Sequence, residues 1–178
     1  MGAMSELHSA IAGRLEQAFA ARGFAEPGVA ELRRSAEVSL RTLYRYFPSR
    51  EAMVIGALEH RHRRYLAFIA EGSPPPGEAA LRHFFARLRD WMAEVSPNGC
   101  LFVSALAAHP DSRAVRAAVL GHKRETREAL GRLAGRPDLA DTLFLLHEGA
   151  TAAWPFLGGE AIDSAEAAAL KLMTGETP

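Results

Sequence analysis

Between positions 33 and 50 the chain carries Arg33, Arg34, Arg41, Arg45 and Arg50, against Glu37 as the sole acid. Guanidinium groups at this density, interleaved with Thr42, Tyr44 and Tyr46, have the chemistry to hold phosphates and to hydrogen-bond the edges of bases. A solvated helix face is the other reading of such a patch, and charge alone does not separate the two. A second set is Trp91, Phe102, His109, Phe144, His147, Glu148 and Trp154. It joins aromatic rings to a few polar groups, as the wall of a pocket for an apolar or aromatic effector does, and as an ordinary core also does.

Little else in the chain is arranged for chemistry. Cys100 opens an apolar run, where a lone cysteine either packs or senses oxidants and electrophiles. His147 and Glu148 are neighbours on a helix, about 100° apart, and do not converge on a metal. His60 and His62, set among Arg61, Arg63 and Arg64, read as a solvated helix face. GxSxG, P-loop, HExxH and paired-cysteine patterns are all missing, so the expectation is a non-enzyme with no cofactor and no metal.

The chain has 178 residues, 48% hydrophobic and 24% charged, which is enough to bury a real core and argues against wholesale disorder. Lys plus Arg and Asp plus Glu number 21 each, so a basic patch on this neutral chain marks one dedicated surface rather than a general affinity for anions. With a single cysteine no intramolecular disulfide forms, and a cytoplasmic location is expected. No apolar run is long enough to span a bilayer, no signal peptide is visible, and Met1-Gly2-Ala3-Met4 has the look of a cloning remnant.

Helical periodicity runs through almost the whole sequence, which predicts an all-α protein. Ser5 is placed to cap a first helix with Leu7, Ile11, Leu15 and Phe19 on one face, ended by Gly23. A second helix buries Val29, Leu32 and Ala36. In a third, the helical wheel puts Leu40, Leu43 and Phe47 inward, Arg41 and Arg45 near the opposite pole, and Thr42 and Tyr44 on the flanks. Ser49 caps a long fourth helix with Arg50 in its first turn, where a cation opposes the helix dipole unless an anion is bound beside it. Beyond the break at Gly72–Gly77 come an apolar helix ending near Pro97, a short one over 100–108, and a long one from Ser112 to about Ala134. Asp138 is positioned to cap a helix over 139–157 that is apolar on more than one side, and Asp163 with Glu166 has capping-box spacing for a last helix. Small residues on these two terminal helices suit packing across a twofold axis as a four-helix bundle.

The stretch from Ile11 to Leu58 resembles the N-terminal domain of TetR-type transcriptional regulators. The resemblance rests on Gly23-Phe24, on Ala36-Glu37-Val38-Ser39, on Thr42-Leu43-Tyr44-Arg45-Tyr46-Phe47 and on Ser49-Arg50-Glu51. It implies a three-helix helix-turn-helix DNA-binding domain over 1–48, followed by a helical effector-binding and dimerisation domain over 49–178. By motif position Leu40, Arg41 and Thr42 would face bases, Tyr44, Tyr46 and Arg50 would meet phosphates, Arg45 would serve either, and Arg33 adds to the same face. Arg41 would then be suited to bidentate recognition of a guanine.

The same resemblance implies a homodimer joined through its two C-terminal helices and bound to a pseudo-palindromic double-stranded operator. As a repressor it would be released by a small-molecule effector. The chain departs from the pattern in four places. Glu37 stands for the usual turn glycine, Arg41 for a common glycine, Arg33 for a small alanine, and Pro27-Gly28 for the usual hydroxyl cap of helix two. Loss of that cap costs about 1 kcal/mol, and a positive φ at Glu37 adds strain. These departures keep a second function in view, a protein-binding or ligand-sink relative with weak or lost specific DNA binding.

Overall fold

A computed structural model describes the backbone of residues 2–175 and the side chains from Glu6 onward. Among the described residues it has no strand. The helices are α1 (Gly2–Arg22), α2 (Val29–Ala36), α3 (Leu40–Tyr46), α4 (Arg50–Ala70), α5 (Glu78–Glu94), α6 (Leu101–Ala108), α7 (Arg113–Ala134), α8 (Ala140–Leu157) and α9 (Gly159–Thr174), with one 3-10 turn at Pro137–Leu139. None is long and apolar enough to cross a membrane. The chain divides into two compact units: one runs to Arg64 and takes in Leu101–Gly121, the other joins Tyr65–Cys100 to the chain from His122 on.

In the first unit Ile11, Leu15 and Phe19 of α1, Leu32 and Ala36 of α2, Leu43 of α3 and Leu58 of α4 are all fully buried. Each large apolar side chain so buried contributes about 1.5–3 kcal/mol. Gly23 ends α1 at φ 74°, its N–H donating to the Phe19 carbonyl at 2.9 Å. Phe24 then folds back to stack on Phe19, ring centroids 4.8 Å apart. Phe47, just past α3, sets the edge of its ring against α4: a Cβ at Gly56 would collide with it, so glycine is what allows the close approach. The α6–α7 corner belongs to this unit too, with the His109 ring edge-on to Phe24 at 6.1 Å and the Ser112 hydroxyl donating to Glu51 Oε1 at 2.5 Å.

The second unit is built on Leu81, Phe84, Phe85 and Leu88 of α5, Leu143 of α8 and Ile162 of α9, all fully buried. The Gly72–Gly77 segment lies within this unit, and Gly77 donates its N–H to the Leu133 carbonyl at 2.8 Å. It is a corner between α4 and α5, not a tether between units.

Several local expectations are corrected. Helix α1 starts at Gly2, so Ser5 is inside the helix rather than at its cap. The Asp138 carboxylate does not cap α8: it takes the Arg136 guanidinium at 2.7 Å inside the 3-10 turn, and Leu139 precedes α8 without a side-chain cap. Helix α9 begins at Gly159, which puts Asp163 and Glu166 in its body, where they pair with Arg89 and Arg82 instead of closing a capping box. The competing partner is the same in both cases, since a guanidinium in reach outbids a backbone N–H for a carboxylate. Leu40, expected inward, is 46% exposed. A helical side chain covers the turn before its own Cα, and the first residue of α3 has no such turn to cover.

Candidate nucleic-acid interface

Two local devices hold α3 in place. Ser39, at the N-cap with β-region backbone, accepts the Thr42 N–H at 3.0 Å, and its hydroxyl meets the Thr42 hydroxyl at 2.8 Å. On the other side of the turn Glu37 closes α2 in the left-handed conformation, φ 54° and ψ 39°, and its N–H donates to the Arg34 carbonyl. Gly28 stands at the N-cap of α2 with no side-chain bond. A glycine there loses only a few tenths of a kcal/mol against a hydroxyl cap, less than the sequence suggested.

The outward face of α3 has Leu40, Arg41, Tyr44 and Arg45 exposed, with Thr42 and Tyr46 half-buried. Arg45 lies over the Tyr46 ring at 5.0 Å. The side chains of Arg33, Arg34 and Arg41 make no ion pair or hydrogen bond among the described residues, although Arg14, Arg22, Arg82, Arg89, Arg127 and Arg136 are each paired with an acid. Cations left unpaired side by side repel one another and attract a polyanion. Arg50 behaves differently. Half-buried, it donates to the carbonyls of Phe24 and Pro27 and sits 6.0 Å from the Phe19 ring, which fastens the α1–α2 loop to the first turn of α4. Three of its five N–H groups remain for another acceptor.

Behind the reader is a buried carboxylate that the sequence reading missed. Glu16, 1% exposed, takes His60 at 2.6 Å, Arg61 at 3.1 Å and Arg64 at 2.8 Å, joining α1 to α4. Its signal was the polar residue set between buried Leu15 and Phe19 on an otherwise apolar face. His60, Arg61 and Arg64 are therefore not a merely solvated face.

The residues proposed for an effector fall in two places. Phe102 and His109 lie in the first unit, Phe102 buried and His109 against Phe24 with a buried Nε2 that has no hydrogen-bond partner among the described residues. Trp91, Phe144 and His147 gather in the second unit, with Trp154 half-buried against the same core. The unforeseen member is Tyr65. Its phenol donates to His147 Nε2 at 2.8 Å, and its ring stands 5.3 Å from Trp91 and 5.7 Å from His122. His147 Nδ1–H donates to Glu148 at 3.1 Å, which fixes the neutral tautomer. Lys123 holds both Glu148 oxygens at 2.7 Å and reaches Cys100 Sγ at 3.5 Å.

Burial pushes the Tyr65 phenol well above its ordinary value, with Cys100 and Glu148 adding to it. Burial also pulls His147 below 6.5, against the opposing pull of Glu148. For Glu148 burial acts upward, but the His147 hydrogen bond and the Lys123 charge outweigh it and keep the carboxyl below 4.5. Thr126, fully buried one turn beyond His122 on α7, has a hydroxyl without a hydrogen-bond partner among the described residues. No group of three or more metal-ligating side chains occurs among the described residues.

Residues 15–57 match the family described as bacterial regulatory proteins, tetR family. A TetR-family transcriptional regulator from Streptomyces coelicolor has the same fold, with a TM-score of 0.83 at 23% identity, over 98% of this chain and 97% of that one. A TetR transcription regulator from Haloarcula marismortui superposes with a TM-score of 0.78 at 15% identity, over 96% and 98%. NemR of Escherichia coli in its reduced form gives 0.69 at 26% identity, over 94% and 96%. Comparison with curated proteins finds no match.

Proposed function

We infer that this chain, which belongs to the TetR family of bacterial regulatory proteins and is a DNA-binding transcriptional regulator, acts as a ligand-responsive repressor. The observation that carries the reading is the outward face of α3. A Ser39-capped helix presents Arg41, Arg45 and Tyr44 to solvent, and on α2 Arg33 and Arg34 make no ion pair among the described residues. Arg33, Arg45, Tyr44, Tyr46 and the free N–H groups of Arg50 supply phosphate contacts, while Leu40 and Arg41, with Thr42 beside them, face the bases.

A dimer places two such helices in successive major grooves about 34 Å apart. Its interface is the outer side of α8 and α9, where Leu145, Phe156 and Leu157 are exposed beside a shallow apolar groove lined by Gly149, Ala153, Ala161 and Ala165. Small residues of this kind let helices of two copies approach closely.

The effector is an apolar or aromatic small molecule taken up in the second unit near Trp91, Phe144 and His147. By favouring a conformer with the wrong reader spacing it releases DNA, through a coupling of about 1–3 kcal/mol.

A salt-titrated mobility shift on a palindromic fragment beside the chain's own gene tests this. Specific binding at least about a thousandfold tighter than to random duplex is expected, weakening steeply with salt. Weak, sequence-independent binding at every salt would instead make the chain a ligand sink or protein-binding relative.

A further inference from the structure

Tyr65, His147, Glu148 and Lys123 form one hydrogen-bonded chain in the second unit, and its direction is fixed. Lys123 donates to both Glu148 oxygens at 2.7 Å, Glu148 takes the His147 Nδ1–H at 3.1 Å, and His147 Nε2, left as a lone-pair acceptor, takes the Tyr65 proton at 2.8 Å. The chain therefore ends on the Tyr65 oxygen. Its proton is committed to His147, and it accepts no hydrogen bond among the described residues. A hydroxyl that donates in this way is polarised into a better acceptor.

Thr126 is a second open end. Its side chain is fully buried and its hydroxyl has no hydrogen-bond partner among the described residues, a state rare in native cores. It stands on the buried stripe of α7 that also carries His122, whose ring is 5.7 Å from that of Tyr65, and Leu130, a member of the same core as Tyr65. The surroundings are aromatic: Trp91 lies 5.3 Å from the Tyr65 ring, and Phe84 and Phe144 lie 5.9 and 6.2 Å from the His147 ring.

These open ends select a chemical class. Tyr65 has only acceptance left, so a ligand must donate to it, which ethers, ketones and esters cannot do. Thr126 has a proton to give, and a hydroxyl is the group that donates and accepts at one atom. Lys123 and Glu148 neutralise each other and leave no counter-charge for an ionised ligand, whose desolvation would go uncompensated. The aromatic shell favours a ring as the carrier of that hydroxyl.

Resting on the effector reading above, we propose that the second unit takes a neutral hydroxyarene, a compound of the phenol class, whose hydroxyl donates to the Tyr65 oxygen and accepts the Thr126 proton while its ring packs among Trp91, Phe84 and Phe144. Tyr65 and Thr126 are then the residues that determine specificity.

The test titrates the full chain calorimetrically at pH 7 with 2-naphthol, its methyl ether 2-methoxynaphthalene, and 2-naphthoate. The naphthol is expected to bind about fivefold or more tighter than the ether, which keeps the ring and loses the donor, and the naphthoate more weakly than either. Tyr65→Phe should bring the naphthol-to-ether ratio close to one. Thr126→Val should weaken naphthol about threefold, and Thr126→Ser, which keeps the hydroxyl, should restore it. Equal binding of naphthol and ether, tighter binding of naphthoate, or a wild-type ratio in Tyr65→Phe would overturn the assignment and leave the effector reading in place. Binding of none of the three would overturn both. The wild-type comparison and the Thr126 pair decide the matter even if Tyr65→Phe fails to fold.

Discussion

The Arg14 guanidinium meets the Glu37 carboxylate at 2.9 Å and the Ala36 carbonyl at 2.9 Å, so α1 braces the turn of the reader where the backbone is left-handed. Glu37 is the single non-glycine residue with positive φ among the described residues, and an L side chain there costs about 1–2 kcal/mol. Its ion pair is largely exposed, 39% and 69% for the two side chains, and returns less than about 1 kcal/mol. Glu37→Gly should therefore stabilise the protein, raising Tm by about 2–4 °C per kcal/mol relieved. A calorimetric Tm at or below that of wild type would show that the brace outweighs the strain.

Arg50 is the second fastener. Charge-assisted bonds to the carbonyls of Phe24 and Pro27 hold the loop that leads into α2, and such bonds are worth about 1.5–3 kcal/mol. Arg50→Ala should lower Tm by several degrees and weaken binding to all duplexes. Arg45→Ala should leave Tm near wild type and lower the slope of log K against log salt by about one. If Arg50→Ala left Tm unchanged and only lowered the salt slope, its part would be a phosphate contact alone.

Helices α2, α3 and α4 were legible from their 3.6-residue period, and the start of α4 also from Ser49, whose hydroxyl accepts the Ala52 N–H at 3.0 Å. So was the outward placement of Arg41, Tyr44 and Arg45. Leu40 was misplaced because a wheel treats every position as mid-helix, whereas the first residue has no preceding turn to pack on. Long-range partners were invisible. Nothing local says that Glu16 will meet residues 44–48 positions later, that Tyr65 will donate to His147, or that Leu101–Gly121 belongs with the first helices. Asp138 carried a capping signal that Arg136, two residues back, took over, and Asp163 and Glu166 carried one that Arg89 and Arg82, distant in sequence, took over.

Glu16 is a carboxylate removed from water and held by His60, Arg61 and Arg64. Breaking one side of a buried ion pair is costly because the remaining charge loses its counterpart, typically about 3–5 kcal/mol. Glu16→Gln keeps the shape and removes the charge opposite Arg61, which is 3% exposed. It should destabilise the protein by about 3 kcal/mol in a urea titration. Arg64→Ala removes a partner whose side chain is 42% exposed and should cost under about 1 kcal/mol. Equal losses for the two variants would mean that Glu16 is solvated in solution.

The Tyr65–His147–Glu148 chain makes stability depend on pH in a stated direction. His147 is held neutral by burial, with its folded value below 6.5. As pH falls through 6.5 the unfolded chain takes up this proton first, so the folded state loses ground until the folded value is reached. Glu148, held below 4.5, contributes stability that is present above 4.5 and lost as pH falls through its folded value. The histidine window is met first. Tm should therefore be lower at pH 5.5 than at pH 7.5, and His147→Asn, which keeps a hydrogen-bonding side chain without the titration, should narrow that gap. A gap of the same size in His147→Asn would place the acid sensitivity on another group, since protonating the imidazole must otherwise break either its acceptance of the Tyr65 proton or its burial.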